Sequence, residues 1–163
     1  MRFICLTIGL LVSGVALAAD EIVRHPIPGS TFPIAQAVEI PAGARLLYVS
    51  GQGPAIVDKT VSRFAIAAYG NTETQMLSTL ASIESILKSH ELSMGDVVKM
   101  QVFLVGDPAN GGRMDFAGLM RGYLKYFGTE AQPNLPARSA MQVAGLANPG
   151  WLVEIEVVAA TSP

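Results

Sequence analysis

The chain has 163 residues, of which 50% are apolar and 15% charged. That balance suits a single domain with one sizeable core and excludes a disordered chain. The formal net charge is −2, with no cluster of Lys and Arg and no run of five like charges. The electrostatic footprint of nucleic-acid binding is missing, so no nucleic-acid partner is expected.

In chain order, Met1-Arg2 supplies a positive start, Phe3 to Val15 is an almost unbroken apolar run, and Ala16-Leu17-Ala18 is a small-x-small site. This three-part form predicts a signal peptide over residues 1–18, too short for a typical spanning helix. Cleavage after Ala18 removes Cys5, the sole cysteine, so the mature chain has neither a disulfide nor a thiol nucleophile. An exported, cysteine-free chain is expected to be periplasmic or secreted, with no membrane attachment after cleavage.

Residues 19–30 read as an extended lead-in containing Pro26, Pro28 and Gly29, and the domain proper is expected over 31–163. Thr31 to Ile40 reads as a strand, broken by the turn-like Pro41-Ala42-Gly43-Ala44. Arg45 to Ser50 reads as a second strand, stopped by Gly51-Gln52-Gly53-Pro54. Residues 55–70 fit either a strand or an irregular insert. Asn71 to His90 is the clearest helix: Met76, Leu80, Ile83 and Leu87 recur at helical spacing, flanked by Leu77 and Ile86, and Thr72 with Gln75 suggests a capping box. After a loop at 93–96, Val97 to Val105 is a strand rich in β-branched residues. Gly106 to Gly112 reads as a loop. Met114 to Phe127 reads as a second helix, with Phe116, Leu119, Met120, Tyr123 and Phe127 apolar. A loop at 128–137 carries Pro133 and Pro136. Ser139 to Leu146 and Trp151 to Ala160 are strands joined by Ala147-Asn148-Pro149-Gly150, a hairpin signal.

This order predicts an α/β (α+β) fold, a mixed β-sheet with two helices on one face. The opposite face has no layer left to cover it, and oligomerisation is the simplest solution. In the last strand Val153, Ile155 and Val157 fall on one side and Leu152, Glu154, Glu156 and Val158 on the other. Two carboxylates do not pack against a dry core of their own chain, which suggests a polar pocket at a subunit boundary.

Leu135-Pro136-Ala137-Arg138-Ser139, followed by Val153-Glu154-Ile155-Glu156-Val157-Val158-Ala159, resembles the paired signature of the RidA (YjgF-type) enamine/imine deaminase family. Val49-Ser50-Gly51-Gln52, Gly95-Asp96-Val97-Val98-Lys99 and Phe103 to Val105 match in the same order, so the resemblance spans residues 31 to 160. It implies a chorismate-mutase-like fold, a homotrimer with clefts between subunits, no cofactor, and hydrolysis of small enamine or imine acids to keto acids and ammonia, as by a 2-iminobutanoate/2-iminopropanoate deaminase. On this reading Arg138 grips the substrate carboxylate through two parallel hydrogen bonds. Glu154 positions or deprotonates the attacking water. Ser139, Ser50, Gln52, Ile34 and Met120 line the substrate pocket.

Each assignment has a plainer counterpart. Arg138 can serve loop carbonyls, Glu154 can pair across a subunit interface, and Ser50 and Gln52 can shape a turn. His25 and His90 lack partners at ligand spacing, so no metal site is expected. Ser139 lies outside a Gly-x-Ser-x-Gly frame, and Gly51-Gln52-Gly53 is too short for a phosphate loop. The chain also departs from the family pattern. Phe32-Pro33-Ile34 replaces a Gly-Pro-Tyr context, Met120 stands in place of an Asn, and Ala140 in place of a Cys. These replacements leave a second reading open, a non-catalytic trimeric binding module for small carboxylate metabolites or a protein partner.

Overall fold

The computed structural model describes residues 21–163, so the segment read as a signal peptide lies outside the described residues. Six strands and two helices follow the chain: β1 (Val23–Pro26), β2 (Ala35–Glu39), β3 (Arg45–Gln52), α1 (Thr72–Ser89), β4 (Val97–Val105), α2 (Phe116–Tyr123), β5 (Ala137–Val143) and β6 (Val153–Thr161). They form one mixed sheet in the order β1-β2-β5-β4-β6-β3. β5 is parallel to both β2 and β4, and the other pairings are antiparallel.

The alternation of β4 and β6 sets the two faces. Met100, Val102 and Leu104 are fully buried, as are Val153 and Ile155, and Val157 is nearly so. They share one core with Met76, Leu80, Ile83 and Leu87 of α1 and Leu119 and Tyr123 of α2. The two helices pack on each other where Gly122 lets α2 approach Met76; a Cβ there would stand 2.6 Å from the Met76 Cβ. On the other face lie Lys99, Gln101 and Phe103 of β4 and Glu154, Glu156 and Val158 of β6, all exposed or half-buried.

Several local expectations are corrected. β5 and β6 are not a hairpin: they flank β4 on opposite sides. The turn at 147–150 is pinned elsewhere, with Asn148 Nδ2 donating to Arg63 O at 3.1 Å and to the Tyr69 hydroxyl at 2.9 Å. A local turn signal bends the chain but does not choose a strand's partner. Leu152, read as facing away from the core, is buried because it precedes β6. Its N–H donates to Gln75 Oε1 at 2.7 Å and its carbonyl accepts from Val105 N at 3.0 Å. Gln75 is therefore a buried brace, also donating to Gly70 O and Gly150 O. It is not half of a capping box; Asn71 caps α1 by accepting from Thr74 N.

The second helix is shorter than read. Asp115 caps α2 by accepting from Gly118 N, and the chain leaves it after Tyr123 through turns that still bury Phe127. β2 begins only at Ala35, because Ser30 to Ile34 turns on itself through Phe32 N to Ser30 Oγ and Ile34 N to Phe32 O. Residues 55–70 form no strand; their one regular element is a single 3-10 turn at Ile66–Ala68. The lead-in contributes β1, the outermost strand beside β2.

Candidate functional site

Most of the residues singled out in the sequence fall into two groups on opposite faces of the sheet. Arg138 enters β5 just after Pro136, whose carbonyl accepts from Ala35 N at 3.0 Å and ties the loop to β2. In the parallel register Arg138 sits opposite Met100, which faces the helices, so Arg138 is directed to that layer too. There it meets α2. Its Nη1 and Nη2 lie 3.4 and 3.3 Å from Met120 Sδ. The guanidinium carbon stands 4.3 Å from the Tyr123 ring centre, 5.6 Å from that of Phe32 and 6.0 Å from that of Phe116.

This is an unusual setting for a cation. The described ion pairs are His25–Glu39, Glu84–Lys88 and Arg121 with Glu73 and Asp115; Arg138 takes part in none. Its Nε is buried without a hydrogen-bond partner. Loop carbonyls do not serve it either, since its hydrogen-bond contacts among the described residues are to sulfur, a weak acceptor. Burial pulls the guanidinium pKa below its ordinary value, while Tyr123 opposes that shift. Tyr123 itself is pushed well above the usual phenol range by burial, with the Arg138 charge opposing. Its neutral hydroxyl donates to Pro33 O at 2.9 Å, which holds the 32–34 turn beside the guanidinium. The guanidinium thus leans on three aromatic rings and a thioether, with no carboxylate partner among the described residues.

The sequence reading puts Phe116 and Tyr123 on the apolar side of a helix and Phe32 in a strand, none of them as site residues. The signal was present. Phe116, Met120 and Tyr123 are spaced i, i+4 and i+7, so one face of α2 carries all three to the guanidinium. Ile34 lies close by in sequence but lines a separate groove of about 200 Å³ with Arg24, His25, Pro133 and Leu135.

The second group lies on the uncovered face. Between Val49 and Gln52 the pairing of β3 with β6 slips, and Gly51 sits in the slip. The Glu154 carboxylate lies directly over Gly51; a Cβ at that position would collide with Glu154 Oε1 and come within 3.0 Å of Cδ. A side chain at position 51 would push the Glu154 carboxylate from this place. Glu154 takes part in none of the described ion pairs. Beside it, Ser50, Tyr48, Lys99, Gln101 and Glu156 line a groove of about 250 Å³. Gln52 does not join this group: it donates to Ser50 O at 3.0 Å and to Gly51 O, pairs with the core-facing Ile155, and its Oε1 accepts from Ser82 of α1 on the helix-covered side. Ser139 pairs in register with Gln101 and is exposed. One protomer therefore joins Arg138 to Met120 on one face, and holds Ser50 with Glu156, and Glu154 over Gly51, on the other.

Comparison with known proteins identifies the family. The chain is 36% identical over 132 residues to a RutC family protein of Leuconostoc mesenteroides, covering 81% of this chain and 90% of the relative. It is 33% identical over 136 residues to a mouse 2-iminobutanoate/2-iminopropanoate deaminase, covering 83% and 87%. Among solved structures it resembles Escherichia coli TdcF with bound serine, at 30% identity and a TM-score of 0.56, covering 87% of this chain and 98% of TdcF. A Thermotoga maritima structure described as an endoribonuclease matches at 27% identity and a TM-score of 0.55, covering 88% and 98%. The family pattern described as Endoribonuclease L-PSP matches residues 28–161, and this chain belongs to that family, the YjgF/RutC group whose named relatives include reactive-intermediate deaminases.

Proposed function

We propose that the protein hydrolyses small enamine or imine acids to keto acids and ammonia, in a cleft completed by a second copy of the chain. The observation that carries this is the Arg138 guanidinium, desolvated and without a carboxylate partner among the described residues. A substrate carboxylate would supply the missing acceptors as a charge-assisted, two-pronged pair. The two-face split supports the subunit cleft: the Arg138 side of one copy needs the Glu154 side of another. In the reaction a water oxygen bonds to the imine carbon while Glu154 takes a water proton. The C=N electrons move to nitrogen, which is protonated. The resulting carbinolamine expels ammonia as its hydroxyl becomes the keto carbonyl, so one water is consumed and one ammonia released.

Imino acids generated by an amino-acid oxidase test this. Purified protein should accelerate ammonia release, and Arg138→Ala should reduce kcat/KM by at least about a hundredfold, the scale of losing a buried charge-assisted contact. No rate above background, or an unchanged mutant, rejects the reading.

The sulfur of Met120 against the guanidinium favours one alternative, a trimeric module that binds small carboxylate metabolites without turning them over. Calorimetry with keto acids separates the two readings, since tight binding without ammonia release favours the module. Export is proposed on the leader alone. Mass spectrometry of cell fractions should find a mature chain beginning at Ala19 outside the cytoplasm, and an intact Met1 terminus in the cytosol would refute it.

A further inference from the structure

The ring-lined approach to Arg138 carries a statement about substrate. Phe32 and Phe116 are 39% and 38% exposed, and both stand beside the half-buried Arg138 guanidinium. Their rings are stacked, 6.4 Å between centres and 11° between planes, and they come from different elements, the turn before β2 and the first turn of α2. Tyr123, wholly buried, forms the floor with its hydroxyl turned away to Pro33 O. Asp115 at the head of α2 is engaged by its cap and by Arg121. The approach to the guanidinium thus offers one charge, one thioether and three aromatic rings.

We infer that the site selects anions whose carboxylate is closely followed by an aromatic or bulky apolar group, such as the imino acids of phenylalanine or leucine, over those of alanine or serine. This deepens the deaminase reading and rests on it. In the phenylalanine-derived imino acid the ring is separated from the carboxylate by only the imine carbon and one methylene. A carboxylate seated on Arg138 therefore brings that ring to the neighbouring Phe32–Phe116 wall. Aromatic contact there removes exposed ring surface from water on both partners, which a methyl or hydroxymethyl group cannot do. Phe32 and Phe116 act as specificity residues, while Arg138 binds any carboxylate.

The experiment compares imino acids made in situ from phenylalanine, leucine and alanine, with semicarbazide trapping the imine in competition. Calorimetry with phenylpyruvate and pyruvate runs alongside. The expected result is a kcat/KM about tenfold higher for the phenylalanine-derived imine than for the alanine-derived one, the usual scale of apolar-pocket discrimination. Phe32→Leu and Phe116→Leu should each narrow that ratio, with circular dichroism confirming the fold. Turnover of all three at equal efficiency overturns the preference and leaves the deaminase reading standing. Absence of turnover, with phenylpyruvate binding more tightly than pyruvate and the difference lost in the Phe variants, overturns the deaminase reading and keeps the preference. Absence of both turnover and discrimination overturns both. A ratio unchanged in both folded Phe variants removes the wall from recognition.

Discussion

The two faces of the sheet are made from the same strands and obey opposite rules. On the helix-covered face, Met100, Val102, Ile155 and the α1 stripe are wholly buried, and the polar Gln75 is admitted only because its amide is matched to Gly70, Gly150 and Leu152. On the other face, one residue along each strand, Lys99, Gln101, Glu154 and Glu156 sit beside Tyr48, which is 73% exposed. Arg138 is the exception that joins the two. It belongs to the covered side by register, yet among the described residues its charge meets aromatic rings and a thioether rather than a carboxylate. The covered face is optimised for stability, and the breaks in that optimisation mark function.

The largest expected effect follows from the covered face. Ile83 is fully buried between α1 and the sheet, so Ile83→Ala should destabilise the protein by about 3 kcal/mol, the middle of the range for aliphatic core truncations. Chemical denaturation should show a lower midpoint at an unchanged slope. Arg138→Leu should separate stability from activity. It relieves a partly desolvated cation but gives up three cation–π contacts, so stability should stay within about 1 kcal/mol of wild type while the proposed turnover is lost. A variant that loses activity and stability together would mean that the guanidinium is structural.

Tyr123→Phe probes the seam between the faces at smaller scale. Losing the hydroxyl's bond to Pro33 O should cost about 1 kcal/mol at neutral pH. The wild-type protein should also lose stability as pH rises above about 10, the ordinary tyrosine value. In that window the unfolded chain releases the phenol proton while the folded chain, whose Tyr123 pKa is raised by burial, retains it. Unfolding then releases a proton and is favoured by alkali. In Tyr123→Phe this slope should be flattened.

How much of this was legible depended on the range of the interaction. The α1 stripe, the β4 strand and the inward side of β6 follow from periodicity within one element, and the structure repeats them. The place of β5 beside β4 does not follow, because it is set by a parallel pairing of Lys99 to Val105 with Ala137 to Val143, across more than thirty residues. The candidate site shows the same limit. Arg138 and Glu154 stand out by residue type and setting, but their separation onto opposite faces depends on that register. Tyr123 and Phe116 read as core because an aromatic at helical spacing is the same letter whether it meets a leucine or a guanidinium. Only the chain fold brings Phe32 to complete the wall.

The smallest effect on the protomer is expected where the consequence for assembly is greatest. Tyr48→Ala on the uncovered face should change protomer stability by no more than about 0.5 kcal/mol, since the side chain is mostly in water. Yet Leu46, Tyr48 and Val158 share a second groove of about 240 Å³ with Ile40 and Lys99, and together they leave apolar surface that the described residues do not cover. If copies of the chain close over this face, as the proposed cleft requires, Tyr48→Ala should weaken self-association measured by sedimentation equilibrium. The wild-type melting temperature should rise with protein concentration, because binding a partner stabilises the folded state by mass action. A wild-type protein that stays monomeric at all concentrations while hydrolysing imines would require both halves of the site to come from one chain, which the opposite facing of Arg138 and Glu154 does not permit.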